Sequence, residues 1–207
     1  MLAVLLHPWS WLGGRMNDPV LKSLSIPLFA KGYHVLRYNS RGVGRTTGWA
    51  SFTGIQESED LRELIDWALT KLSNVQHILI IGYSYGSLIC SRYLPHPTIK
   101  TSHILLSYPL GPRSFLTLFR SKSYESALSA LISHATADVL ILYGDMDEFT
   151  SISDYKPWIE NLQLINGKGT SSTGKLQSIQ ISGGTHFWRD KDGREMLQTV
   201  ELWLDKL

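Results

Sequence analysis

Six short apolar runs punctuate this chain: Leu2–Leu6, His34–Tyr38, His77–Ile81, His103–Ser107, Val139–Tyr143 and Ser178–Ile181. Most are rich in Val, Ile and Leu and do not alternate with polar residues, the pattern of strands covered on both faces. Longer amphipathic stretches separate them, and strands alternating with helices build a parallel sheet between two helical layers. The expected fold class is α/β: a three-layer α/β/α arrangement with a mostly parallel sheet of about six strands, in one domain spanning residues 1–207. Arg37 lies in the second run, and a charge there suits an edge strand.

The helices have readable ends. Asp18-Pro19 is an N-cap followed by proline at the first helical position, and the helix it opens should kink or break before Pro27. Thr53-Gly54-Ile55-Gln56 has capping-box spacing, and beyond it Leu61, Leu64, Ile65, Ala68, Leu69 and Leu72 share one helical face. Met196, Leu197, Val200, Trp203, Leu204 and Leu207 repeat that period at the end of the chain, and both stripes read as core. Residues 110–137 form a longer excursion, either a plain crossover helix or a small lid over a site. The Gly/Ser/Thr stretch 167–174 reads as a surface loop.

Composition removes several classes of function. Twenty Lys and Arg against 18 Asp and Glu leave a formal charge of +2, evenly scattered, so no nucleic-acid footprint is expected. One cysteine rules out an internal disulfide and fits a reducing compartment. No apolar run approaches the roughly 20 residues of a spanning helix. Met1–Leu6 is too short for a signal-peptide core and lacks a basic lead-in, so a cytoplasmic location is expected. No Cys/His cluster or His-Glu-x-x-His appears, and neither metal nor cofactor is expected. Residues 169–175 match a phosphate-loop spacing, but Leu176 stands where Ser or Thr is required, and a strand follows where a helix is needed. Gly42–Gly48 misses the dinucleotide fingerprint by one residue.

The chemistry-bearing motif is Gly82-Tyr83-Ser84-Tyr85-Gly86, placed directly after an apolar run and before a helical stretch. The bare pattern arises by chance in roughly one chain in fifteen of this length. Its placement is what counts, because a strand-to-helix turn pushes the serine hydroxyl out above a sheet. A serine needs a base, and the base an orienting acid, each just past a later strand. After Val139–Tyr143 come Asp145, Asp147 and Glu148; after Ser178–Ile181 comes Gly183-Gly184-Thr185-His186.

With these residues the chain resembles the α/β-hydrolases, particularly the small serine esterase and dienelactone-hydrolase-like group. The family's His-Pro loop followed by Gly-Gly is matched by His7-Pro8 and Gly13-Gly14, and its R-G-x-G by Arg41-Gly42-Val43-Gly44. The resemblance implies Ser84 as nucleophile, His186 as general base and acid, and Asp147 as orienting acid, the last chosen by the family's G-x-x-D spacing from Gly144. It also implies an oxyanion hole from the Tyr85 backbone N–H and one in the loop after His7, where Pro8 has none and Trp9 is favoured over Ser10. His7 itself is expected to organise that loop by hydrogen bonding. Trp9, Trp11 and Trp188 lie near these loops and are candidate walls of an apolar acyl pocket. The family usually has two further strands before the His-Pro strand, inside which this chain starts, so either a compact form or a shortened chain is expected.

The implied activity is cofactor-independent cleavage of a small-molecule carboxylic ester or thioester. The alternatives are a peptidase or acyltransferase using the same triad, or a non-catalytic interaction protein on the same scaffold. His34, His77, His96, His103 and His134 show no pairing, and Cys90 reads as a small buried apolar residue.

Overall fold

The computed structural model describes residues 1–167 and 174–207; most of the Gly/Ser/Thr stretch, with its phosphate-loop-like spacing, lies outside them. Six strands, β1 (Leu2–Leu6), β2 (His34–Arg37), β3 (His77–Tyr83), β4 (Lys100–Leu106), β5 (Asp138–Gly144) and β6 (Lys175–Ile181), form one sheet in the order β2-β1-β3-β4-β5-β6. Every pairing is parallel, so all six strands end on the same edge of the sheet.

Side chains alternate between two cores. Leu2, Val4, Ile78 and Ile80 point into one, packed under α2 (Ile55–Lys71), α3 (Tyr85–Cys90), α5 (Ser121–Ile132) and α6 (Ile152–Gly167). Ala3, Leu5, Leu79 and Ile81 point into the other, under α1 (Pro19–Ala30) and α7 (Asp190–Leu204). A short α4 (Arg113–Leu116) precedes α5. Cys90 is buried, and burial pushes its thiol well above the ordinary range.

Where boundaries differ from expectation, polar residues account for it. β4 begins three residues early because Thr101, Ser102 and His103 are buried with partners: Ser102 meets His77 Nε2 at 2.9 Å, and His103 Nε2 donates to the Tyr93 carbonyl at 2.8 Å. β6 likewise begins at Lys175; as an edge strand it is only half-covered and shows no apolar run there. Asp18 caps α1 by accepting the Val20 N–H at 2.8 Å. The helix runs through Pro27 to Ala30 without ending, because the proline sits in its last turn, where one missing bond interrupts little. Thr53 does not form the expected capping box. Gly54 is the N-cap at φ 74°, and Glu57 instead reaches back to accept the backbone N–H of Ser51 at 2.7 Å and its hydroxyl.

Candidate active site

Ser84 stands between the C-terminal end of β3 and the first residue of α3, with φ 54° and ψ −119°. A non-glycine residue at positive φ is strained and persists only where its surroundings fix it. Here the Ser84 N–H donates to the Leu106 carbonyl at 2.8 Å, and its carbonyl accepts the Ser87 N–H at 2.8 Å and the Ser87 hydroxyl at 2.6 Å. The flanking glycines are required by close approach. A Cβ on Gly82 would lie 2.3 Å from the Gly86 carbonyl oxygen, and one on Gly86 2.5 Å from that of Leu6.

The ends of β3, β5 and β6 bring three side chains into one hydrogen-bonded row. Ser84 Oγ lies 2.9 Å from His186 Nε2, and His186 Nδ1 lies 2.7 Å from Asp147 Oδ2. Asp147 Oδ1 is held by the backbone N–H groups of Phe149 at 2.8 Å and Thr150 at 3.0 Å, so the carboxylate cannot turn away. All three residues are buried. The two neighbouring acids are otherwise engaged. Asp145 accepts the Gly183 N–H at 2.6 Å, and Glu148 accepts the backbone N–H of His186 at 2.7 Å. Of the three acids in this loop, Asp147 is the one bonded to the imidazole. The Tyr83 hydroxyl donates to the His186 carbonyl at 2.9 Å, fixing the loop from below.

His7 has a hydrogen bond on each ring nitrogen. Nδ1 donates to the Pro8 carbonyl at 2.6 Å, and Nε2 accepts the Ser40 N–H at 3.0 Å, so the imidazole is neutral and ties the loop after β1 to the loop after β2. Burial lowers its pKa, against the opposing pull of the Pro8 carbonyl and Asp18. Trp9 follows, its carbonyl accepting the N–H groups of Leu12 and Gly14, both at 3.1 Å. Tyr85 is the first residue of α3, and its N–H has no partner inside the helix.

A cavity of about 220 Å³ opens over Ser84 and His186. Trp9 lines it together with Pro109, Phe115, Leu116, Phe149 and Phe187, and Asp18 contributes a carboxylate to its wall. Trp11 and Trp188, expected as walls, do not line it. Trp11 is 70% exposed and stacks on the outer side of Trp9, with ring centroids 6.3 Å apart. Trp188 turns into the core at φ 50°, where its indole N–H donates to Ser107 Oγ at 2.9 Å. Phe149 and Phe187 take the place assigned to it, packing edge-on against the His186 ring at centroid distances of 4.6 and 5.7 Å. Their adjacency to Asp147 and His186 was the available signal. Within residues 110–137, α4 supplies Phe115 and Leu116 to the cavity, whereas α5 is a crossover helix buried through Tyr124, Leu128, Leu131 and Ile132. Among the described residues no three His, Cys, Asp or Glu side chains gather as a metal cluster. No helix among them is long and apolar enough to cross a membrane.

Residues 21–119 match the α/β-hydrolase-fold family. An uncharacterized protein of Rickettsia prowazekii is 28% identical over 190 residues, which is 92% of this chain and 73% of that one. Among solved structures, a serine hydrolase without a lid from Xanthomonas campestris superposes with a TM-score of 0.71 at 24% identity, covering 98% of this chain and 81% of its own. The Pyrococcus furiosus esterase gives a TM-score of 0.71 at 17% identity, over 99% of this chain and 80% of its own. The all-parallel sheet, the strained serine turn between β3 and α3, and these likenesses converge: the chain has the α/β-hydrolase fold.

Proposed function

We propose that the chain is a serine hydrolase cleaving a carboxylic ester or thioester, with Ser84 as nucleophile, His186 as general base and acid, and Asp147 as the acid that orients it. The observation that carries this reading is the unbroken hydrogen-bonded row from Ser84 Oγ through His186 to Asp147 Oδ2. Similarity in fold to a serine hydrolase and an esterase supports it.

The chemistry follows from the positions of the atoms. Ser84 Oγ attacks the carbonyl carbon while its proton passes to His186 Nε2. Asp147, accepting from Nδ1, keeps the lone pair on Nε2 facing the serine and stabilises the imidazolium. The carbonyl oxygen gains charge and is met by the amides of Tyr85 and Trp9, aided by the N-terminus of α3. His186 then gives its proton to the departing oxygen or sulfur, and the acyl group stays on Ser84. A water that loses its proton to His186 attacks the acyl carbon, the carbon–Oγ bond breaks, and the acid leaves as Ser84 recovers a proton. Every proton is carried by the chain's own groups, and no cofactor is needed. The small apolar cavity suits an uncharged acyl or aryl group, because Asp18 at its wall repels a substrate carboxylate.

Labelling with a fluorophosphonate probe tests this reading. The adduct is expected on Ser84 and is absent in Ser84→Ala, which should keep its fold and lose ester turnover. No adduct on the folded wild type, or equal turnover by the two proteins, overturns it.

A further inference from the structure

The edge of the sheet that carries Ser84 also carries large apolar side chains that stand mostly in solvent. Trp11 and Leu12 follow β1, Trp49 and Phe52 follow β2, and Phe115 and Phe119 follow β4. Trp49 is 89% exposed, Phe119 82% and Phe52 71%. Leu118 and Phe119 adopt left-handed φ values of 46° and 61°, which neither residue favours, and the backbone bears this strain while Phe119 stays in solvent. Most of them adjoin: Trp9 packs against both Trp11 and Phe115, and Trp11, Trp49 and Phe52 share one groove with Arg15. A continuous apolar face of this kind is uncommon on a protein that meets only water.

Charge says what the face meets. The segments after β1, β2 and β4, residues 7–18, 38–54 and 107–120, contain five Arg and one acid, Asp18, and Lys122 stands in the first turn of α5. Arg41 and Arg113 are paired with Asp60 and Glu125, but Arg15, Arg45, Arg120 and Lys122 are exposed and make no ion pair among the described residues. The acids that follow β5 and β6, among them Asp145, Asp147, Glu148, Asp190 and Asp192, lie at the far end, and Asp18 faces the cavity. Projecting Trp and Phe side chains ringed by unpaired cations match an anionic lipid surface, where aromatic rings sit at headgroup depth and cations meet lipid phosphates. A nucleotide-like ligand is the poorer fit, since side chains exposed by seven-tenths or more wall no closed pocket.

We infer that the loops after β1, β2 and β4 dock the protein on an anionic lipid surface, with the mouth of the Ser84 cavity turned toward it. Docking itself is independent of the Ser84 chemistry. Its consequence, that the substrate is an amphiphilic ester presented from that surface, rests on the hydrolase reading. Only the reacting end of such a substrate needs to enter the small cavity.

Sedimentation with vesicles tests the inference, using phosphatidylcholine alone and equal parts phosphatidylcholine and phosphatidylglycerol. The wild type is expected to bind the anionic vesicles about tenfold more tightly than the neutral ones and to release them at raised salt. A Trp49→Ser, Phe52→Ser double variant and an Arg15→Glu, Arg45→Glu double variant should each bind about tenfold more weakly, with unchanged turnover of a water-soluble ester. Ser84→Ala should bind as the wild type does, which separates failure of docking from failure of the hydrolase reading. Equal binding to both vesicles, or no loss in either double variant, overturns the inference. So does a concentration-dependent dimer that the Trp49→Ser, Phe52→Ser variant abolishes, since a second copy would then cover the face.

Discussion

Replacing Asp147 with Asn gives the sharpest test of how the candidate triad is held. The side chain is fully buried, and its two oxygens have different work. Oδ1 accepts two backbone N–H groups, from Phe149 and Thr150, while Oδ2 faces His186 Nδ1. An asparagine must put its carbonyl where the two donors are, because the reverse orientation sets an NH₂ against two N–H groups. Its NH₂ then faces Nδ1, which can only accept. The imidazole proton moves to Nε2 and points at Ser84 Oγ, where a lone pair is needed. A triad locked in that tautomer loses about 10⁴-fold in kcat, equivalent to about 5–6 kcal/mol of barrier. The fold should survive, since both Oδ1 bonds persist. Asp147→Ala would instead orphan both amides at about 1–3 kcal/mol each and confuse activity with stability. Steady-state hydrolysis of a soluble aryl ester, with a thermal melt of the same samples, separates the two effects. An Asn variant that melts like the wild type and keeps activity within about tenfold of it would refute the assigned roles of Oδ1 and Oδ2.

Acid should destabilise the chain through two histidines that lie outside the site. Burial holds both His77 and His103 at about 4, below the ordinary 6.5, so the unfolded chain takes up protons first and stability falls as the pH drops from 6.5 toward 4. For fully buried His103 the loss totals about 3 kcal/mol once the pH is below both values; urea unfolding at pH 7 and pH 5 should show a flatter pH dependence in His103→Gln, and an unchanged slope contradicts the assignment. Gly86→Ala should cost about 1–3 kcal/mol in a denaturant titration and abolish fluorophosphonate labelling, since its Cβ would press on the Leu6 carbonyl at 2.5 Å; normal labelling would show that the turn can yield. Phe115→Ala removes a cavity wall that is 69% exposed, so KM for an apolar ester should rise while the melting temperature stays within a few degrees, and an unchanged KM places the acyl group elsewhere.

What could be read from the chain depended on whether a signal was local. Ser84 directly follows the buried strand β3, and His186 stands in the Gly-rich turn after β6, so each strand end announces its residue and the parallel sheet does the rest. The orienting acid was less legible. Asp145, Asp147 and Glu148 occupy one loop, and only their hydrogen bonds distinguish them: one braces Gly183, one braces the His186 backbone and one meets the ring. The apolar runs mark less than the whole of β4 and β6, because such a run marks a strand only where its side chains need apolar neighbours. Buried Ser102 and His103 bring polar partners from His77 and Tyr93, and β6 lies at an edge.

The pocket walls show the deeper limit. Phe187 and Trp188 are consecutive, both follow His186 closely and both are aromatic, yet one lines the cavity and the other the core. The difference lies in one backbone angle, the φ of 50° at Trp188, and in one hydrogen bond to Ser107, itself at φ 49° after β4. Ser107 and Trp188 belong to different strand ends, so their pairing exists only once the sheet has formed. The same bond supplies a physical reason for a tryptophan at position 188: its indole N–H ties the loop bearing His186 to the end of β4. A Trp188→Phe variant keeps the ring and loses the bond. If the tie holds His186 in place, kcat should fall while KM for a soluble ester stays constant; a fall in stability alone, with kcat intact, would make Trp188 a core residue and nothing more.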